Sequence, residues 1–521
     1  MKSGGSGGSC HVVPAVGIAV GQTGPVARIV VVGAGLGGLA AAARLATIAH
    51  QVTVCEQAET IGGKAGVFSR DGFTFDTGPS LLTLPAVYRD LFIKTGQPIE
   101  ECLDVVAVDP TCHYRFADGT ALTLPNASRA GTSRAFDDAF GAPAGADWDR
   151  LLERAQAIWM ATRAPFLEQP LGGPRDLVRL ARRTRDLRTV APWQTLRGLG
   201  KSYLRDPRQR MVLDRYATYS GSDPRRAPAA LAVVPYVEQT FGSWYIPGGL
   251  HRLAVAVHDR AVERGVVVRT GSDVAEVIVE SGRAAGVRLS SGEIIAADIV
   301  IANADASHLY ADLVPRSAGR SAMRRLRKAT PSLSGFVLML ALRGRTPGLG
   351  HHTVLFPADY DAEFDAIFGR SATPVDDPTV YLSAPDDPAL RPSDDTEAVF
   401  VLVNAARQGE GAGALDWTAP GLAGRYADRV LAVLAERGLD LRGRVLWREV
   451  RSPADLESGT RSPGGAIYGT SSNGVRAAFL RPANRSPLPG LFLVGGSAHP
   501  GGGLPLVGMS AAIVAEMIGP A

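Results

Sequence analysis

The sequence predicts an α/β protein whose parallel-sheet domain begins near one end of the chain and is completed at the other, around an inserted α+β region. Two glycine-rich segments and one acidic residue carry this reading. The β-branched run Ile29-Val30-Val31-Val32 leads into Gly33-Ala34-Gly35-Leu36-Gly37-Gly38. Far along the chain, Leu491-Phe492-Leu493-Val494 leads into Gly495-Gly496-Ser497-Ala498-His499-Pro500-Gly501-Gly502-Gly503. Each reads as strand, tight turn and helix. Glu56 closes the strand that follows the first helix, which completes a βαβ unit.

The elements follow in order. Residues 1–25 include Ser3-Gly4-Gly5-Ser6-Gly7-Gly8-Ser9 and read as a disordered, linker-like leader. Arg28 to Val32 is a buried parallel strand, Leu39 to Ile48 an alanine-rich helix, and Val52 to Cys55 a second strand. Residues 85–160 mix helices with short strands, and 150–240 read as helical and basic. At Trp244-Tyr245-Ile246-Pro247-Gly248-Gly249-Leu250 the chain turns into a helix expected from Leu253 to Arg264. Strands follow at 266–268, 274–279, 285–289 and 297–302, with Gly292 at a hairpin. Strong strands at 335–342 and 398–403, a helix from Leu422 to Glu436, and a last strand–turn–helix complete the chain. This predicts a nucleotide-binding domain in three pieces, 26–110, 240–305 and 485–521. A helical substrate-facing or membrane-facing region occupies 111–239, and a substrate domain occupies 306–484.

Composition excludes some classes. A formal net charge of +4 on 521 residues gives no basis for nucleic-acid binding. The four cysteines lack metal-ligand spacing, no metal site is expected, and a reducing, cytoplasmic setting fits them best. No run is long and apolar enough to span a bilayer, because the glycine turn splits Ile29 to Ala43. From Arg175 to Arg210, eleven Arg or Lys face three Asp, with Leu177, Leu180, Trp193, Leu196 and Leu199 interleaved. Such a stretch is either a solvated helical face or a surface for anionic lipid.

Gly33, Gly35 and Gly38 fit the G-x-G-x-x-G pattern between a strand and a helix. They permit the tight turn, backbone approach to a pyrophosphate, and close packing of helix on sheet. Glu56 lies about 20 positions further on, where a carboxylate takes a ribose hydroxyl pair and repels a 2′-phosphate. The alternative is a glycine turn without a ligand. Gly62-Gly63-Lys64 and Asp76-Thr77-Gly78-Pro79-Ser80 follow closely, as suits a long dinucleotide. Lys64 is read as offsetting phosphate charge or as a surface lysine. Gly409-Glu410-Gly411-Ala412-Gly413-Ala414 matches the glycine pattern only formally, because it is detached from its strand and carries an anion.

Together with Trp244 to Leu250 and Gly490 to Pro505, these motifs resemble the bacterial and fungal phytoene desaturase family. These are FAD-dependent carotenoid desaturases of the amine-oxidase-like flavoprotein fold. The resemblance runs from about residue 27 to the C-terminus. It implies a Rossmann-like FAD-binding domain with an inserted α+β substrate domain. It also implies FAD contacts at Gly33, Gly35, Gly37, Gly38, Glu56, Gly62, Gly63, Lys64, Gly78, Pro79, Val274, Gly495, Gly496, Gly503, Leu504 and Pro505. Two positions depart from the pattern. Gln57 stands where a basic residue often follows the glutamate, and Gly502 where phytoene-acting members often carry alanine. The triple glycine is closer to the branch acting on hydroxylated or methoxylated carotenoids.

The resemblance implies removal of two hydrogens from adjacent carbons of a polyene, with the flavin as hydride acceptor. The helix starting near Leu504 would aim its positive end at the flavin's pyrimidine edge. A quinone or oxygen would re-oxidise the flavin. His499, the titratable side chain of the second glycine loop, is read as the catalytic candidate, steering a proton or orienting the flavin, or else simply bonding the loop. Asp305 reads as a helix cap. Tyr219, Trp244 and Tyr245 are weighed as channel walls against plain core. A lipophilic substrate implies peripheral membrane association. Other flavin oxidoreductases of this fold, amine oxidases or carotenoid oxygenases among them, and a flavin-free lipid escort are the competing readings.

Overall fold

The computed structural model describes residues 25–171, 184–475 and 477–521. The expected leader up to residue 24, and Arg175, Arg179, Arg182 and Arg183 of the basic stretch, lie outside them.

A five-stranded parallel sheet forms from strands distant in sequence, in the spatial order Val267–Arg269, Gln51–Cys55, Arg28–Val32, Ile299–Ala302 and Leu491–Leu493. Helices cover it, so its central residues are buried: Val31, Val54, Val300 and Ile301 are fully enclosed. Helix Leu36–Thr47 begins earlier than the expected Leu39. Gly37 and Gly38 weaken helix propensity, yet they are the residues that let this helix lie against the sheet and the second loop. A Cβ at Gly38 would stand 2.3 Å from the Gly33 carbonyl oxygen. The C-terminal helix Leu504–Ile518 packs beside it through Ala511, Val514 and Ala515.

The second layer is a seven-stranded mixed sheet, in the order Val445–Arg451, Ser334–Arg343, Thr396–Ala405, Val380–Ser383, His352–Leu355, Cys112–Arg115 and Ala121–Leu124. Strand Ser334–Arg343 is buried along all but its last residue, because both faces are covered. Phe336, Leu338, Leu340 and Leu342 face helix Leu422–Glu436, whereas Val337, Met339 and Ala341 meet Phe73 and Phe75. The strands at 112–124 belong to this sheet, through the parallel pairing of Cys112–Arg115 with His352–Leu355. The expected 111–239 segment is therefore not purely helical. Nothing in the short runs Cys112-His113-Tyr114-Arg115 and Ala121-Leu122-Thr123-Leu124 names a partner so far along the chain.

Helices Ala144–Thr162, Leu196–Tyr203, Pro207–Thr218 and Val233–Phe241 form a cap on this sheet. Among the described residues of the basic stretch, several cations are paired. Arg197 pairs with Asp214 and, at 2.7 Å, with Asp361, while Arg208 pairs with Asp206 at 2.7 Å and Asp118 at 3.0 Å. Leu196 and Leu199 are core, whereas Trp193 is 64% exposed. Charge counted along the chain misses these pairings because Asp214, Asp361 and Asp118 lie outside the stretch. No helix among the described residues is long and apolar enough to cross a membrane.

Candidate functional site

Both glycine loops open into one cavity of about 1260 Å³ that continues between the mixed sheet and the helical cap. Every cofactor contact expected from the sequence lines it except Gly38, which lies beneath the loop against Gly33.

The first loop turns immediately after its strand. Gly33 adopts φ +98°, a conformation that favours glycine, and its N–H donates to the Cys55 carbonyl at 2.7 Å. Glu56 ends the neighbouring strand and is buried beside the loop. Its Oε2 accepts from the Ala34 N–H at 2.7 Å and its Oε1 from the Ala58 N–H at 3.0 Å. The carboxylate thus fixes the turn as well as presenting an acceptor to the cavity. The Gly62 N–H joins the Ala34 carbonyl at 2.9 Å, tying the second glycine pair to the first.

Asn303 is the residue that joins the two ends of the chain. It follows strand Ile299–Ala302 and projects between the loops. A Cβ at Gly35 would stand 2.5 Å from its Nδ2. Cβ atoms at Gly37 and Gly495 would stand 2.7 and 2.5 Å from its Oδ1. The glycines leave a cradle of bare backbone around this amide, and side chains would fill it. The order Asn303-Ala304-Asp305 by itself gives Asn303 no role. The fold reveals it by placing the central strand between both loops.

Lys64 lines the cavity and donates from Nζ to the Ala466 and Ile467 carbonyls, both at 2.9 Å. Burial lowers its pKa, partly offset by Asp305. Lys64 therefore stands in the cavity wall, its Nζ held by two backbone carbonyls. Asp305 caps its helix as expected, accepting from the Ser307 N–H at 2.8 Å. Asp76 accepts from the Leu250 and His251 N–H groups, both at 2.8 Å, and so anchors the start of helix His251–Glu263 to the Gly78 turn. Burial raises its carboxyl to about 6.

His499 differs from its proton-steering expectation. Its ring is absent from the cavity wall and 1% of the residue is exposed. Nε2 lies 3.0 Å from the Gln169 carbonyl, and the ring meets Phe166 edge-on at 5.3 Å. Burial lowers its pKa to about 4, so it packs as a neutral imidazole. The loop turns the ring away from the cavity into packed surroundings, which the residue order does not convey. Among the aromatics weighed as channel walls, Tyr219 lines the cavity. Trp244 and Tyr245 do not, the latter donating to Asp387 at 2.8 Å.

Two wall residues escape the sequence reading. Arg481 is held by three carbonyls: Tyr468 at 3.1 Å, Gly496 at 2.8 Å and Thr470 at 2.5 Å. Burial lowers its pKa to about 10, which leaves it a cation beside the second loop at neutral pH. Tyr468 packs on Gly502, where a Cβ would stand 2.5 Å from its ring. Glycine at 502 thus accommodates this ring, and an alanine there would force it to shift. Neither residue lies in a recognisable motif. The Gly409-to-Ala414 segment is a loop that closes on itself, Gly409 N–H to Leu415 carbonyl at 3.1 Å.

A bare-backbone cradle, a carboxylate at the second strand's end, and the start of helix Leu504–Ile518 all meet at one cavity. This donor set fits a dinucleotide with a flat ring system: backbone N–H groups for its diphosphate, a carboxylate for its ribose, glycines against its ring.

The family model described as "Flavin containing amine oxidoreductase" matches residues 36–400. A 4,4'-diapolycopene oxygenase from Methylomonas is 33% identical over 498 residues, covering 94% of this chain and 98% of that protein. A hydroxyneurosporene desaturase from Rubrivivax gelatinosus is 33% identical over 504 residues, covering 94% and 93%. A zeta-carotene-forming phytoene desaturase from Myxococcus xanthus is 32% identical over 511 residues, again 94% and 93%. Among solved structures, an oxidoreductase from Methanosarcina mazei aligns with a TM-score of 0.61 at 18% identity, covering 94% of this chain and 100% of that one.

Proposed function

This chain belongs to the family of flavin-containing amine oxidoreductases and is an FAD-dependent oxidoreductase; from that premise we propose that it is a carotenoid desaturase. The observation that carries the reading is the single cavity. It begins between the glycine loops and runs on past Val337, Phe400 and Leu402 of the mixed sheet to Val233, Val234 and Val237 of the cap. A long apolar chamber opening directly onto a dinucleotide cradle suits a polyene laid against the cofactor.

FAD, when bound, supplies the two-electron acceptor for oxidation of a C–H bond. The chain's own part is binding and electrostatics. Gly33, Gly35, Gly37 and Glu56 would hold the diphosphate and ribose, and Gly495, Gly496 and Gly503 would let backbone lie against the ring. The start of helix Leu504–Ile518, with Lys64 and Arg481, would turn positive potential toward the bound group. The apolar walls exclude water and hold adjacent carbons in place. Re-oxidation by a quinone or oxygen belongs to the same reading.

Expression in cells that accumulate phytoene, neurosporene or a hydroxylated carotene tests it. Desaturation is expected to give products two hydrogens lighter with red-shifted absorption. An unchanged pigment in all three hosts would refute the proposal. The similarity to a diapolycopene oxygenase favours a second reading, oxygen insertion at the polyene end, which would appear as added oxygen mass.

A substrate insoluble in water calls for a membrane surface. Leu187 and Val190 of helix Thr184–Val190 line the cavity with Trp159 and Phe166, while Met160 and Trp193 are 72% and 64% exposed close by in sequence. These, with the basic stretch, are the proposed docking surface; Arg179, Arg182 and Arg183 of that stretch lie outside the described residues. Replacing Arg179, Arg182, Arg183 and Arg185 by Glu should abolish most sedimentation with anionic liposomes and leave neutral ones unaffected. Unchanged sedimentation would remove the docking surface.

A further inference from the structure

The chamber is not uniformly apolar. Where helices Pro207–Thr218 and Val233–Phe241 meet the strands Cys112–Arg115 and Val380–Ser383, its wall carries a cation and a carboxyl group. Arg215 is 7% exposed and Glu238 4%. Arg215 donates from Nη1 to the Tyr219 hydroxyl at 2.7 Å. Its guanidinium lies over the Tyr219 and Tyr381 rings at 5.1 and 5.2 Å. Glu238 accepts through Oε1 from the Tyr216 hydroxyl at 2.6 Å. The two side chains form no ion pair with each other or with any other described residue. Both therefore keep hydrogen-bonding capacity toward the cavity that they line.

A hydrocarbon filling this end would strip water from both groups and return nothing, an unfavourable exchange for a guanidinium and a carboxyl group. A hydroxyl offers what each group takes: an oxygen that accepts from Arg215 and a proton to donate to Glu238. An ether or a carbonyl answers only the first. We propose that Arg215 and Glu238 form an end-group subsite that selects a polyene bearing a terminal hydroxyl over the parent hydrocarbon. The inference rests on the carotenoid reading and narrows it to one substrate class. Tyr219 and Tyr381 act as positioning residues, since their rings hold the guanidinium, and Ser80 bonds Tyr381 at 2.5 Å.

The test is equilibrium binding to the FAD-loaded full chain, read from the absorption shift of an acyclic polyene offered as alcohol and as hydrocarbon of equal length. The wild type should hold the alcohol about 10- to 100-fold more tightly, the range expected of a hydrogen bond to a charged group. Arg215→Met should erase that preference by weakening the alcohol alone, with FAD content unchanged, and Arg215→Lys should restore part of it. Equal wild-type affinity for the two ligands would overturn the subsite without recourse to any variant. So would Arg215→Met weakening both ligands alike, which marks a packing role. If neither polyene binds, the carotenoid reading itself fails, and this inference with it.

Discussion

Alanine at Gly495 is expected to yield folded protein that has lost most of its FAD. Gly495 sits at φ +96°, where an L side chain costs about 1–2 kcal/mol. Its new Cβ would stand 2.5 Å from Asn303 Oδ1, and relieving that overlap costs about 1–3 kcal/mol more. The total, about 2–5 kcal/mol, corresponds to between about 30-fold and several thousand-fold weaker binding if it falls wholly on the loaded state. Asn303 cannot retreat freely, because Gly35 and Gly37 confine the same amide from the other side. The double variant Gly495→Ala/Asn303→Ala removes the overlap but keeps the backbone strain and loses the Asn303 amide, so it should recover only part of the overpacking share. Flavin absorbance per protein and a titration with free FAD measure both effects. A Gly495→Ala protein that purifies fully yellow would show that the two loops do not close on Asn303.

Trp148→Ala is expected to cost about 3–5 kcal/mol of stability. Trp148 is the largest fully buried side chain of the cap, at 0% exposure, with its ring stacked on Phe136 at 4.5 Å. Its indole N–H donates to Gln239 Oε1 at 2.9 Å, so truncation leaves both a void and a buried amide without its donor. Gln239 lies on helix Val233–Phe241, beside Val237 and Glu238 of the cavity wall. The same change should therefore loosen the chamber while sparing the glycine cradle. Urea unfolding measures the first effect and retention of FAD the second. Trp148→Phe, which keeps most of the ring volume, should recover more than half of the loss. A shift below about 1 kcal/mol for the alanine variant would mean that the cap is held by other contacts.

The parts legible in the sequence are those that local geometry dictates. Gly33 to Gly38 after a β-branched run, Glu56 at the end of the next strand, and the Gly495 to Gly503 loop each combine a backbone requirement with an adjacent period. Helix Leu422–Glu436 and the long strands at 334–343 and 396–405 are equally plain, because their apolar patterns are long. Legibility fails where a residue's role is set by a distant partner. His499 sits in the most distinctive loop of the chain, yet its ring packs on Phe166. Arg197 and Arg208 read as free charges until Asp361 and Asp118 are brought to them. Arg481 is placed by three carbonyls on other turns of the chain.

The sequence by itself determined that this chain is an α/β flavoprotein with a glycine-rich strand–turn–helix at each end of its nucleotide-binding domain. Turn chemistry and burial periodicity act over a few residues and are written in their order. Only the tertiary structure decided that Asn303 joins those ends and that Arg215 and Glu238 face one chamber. Only it placed the strands at 112–124 beside those at 352–355. Those relations depend on pairing across long stretches of chain, where the free energy comes from burying surfaces against each other and no local pattern records which surfaces will meet.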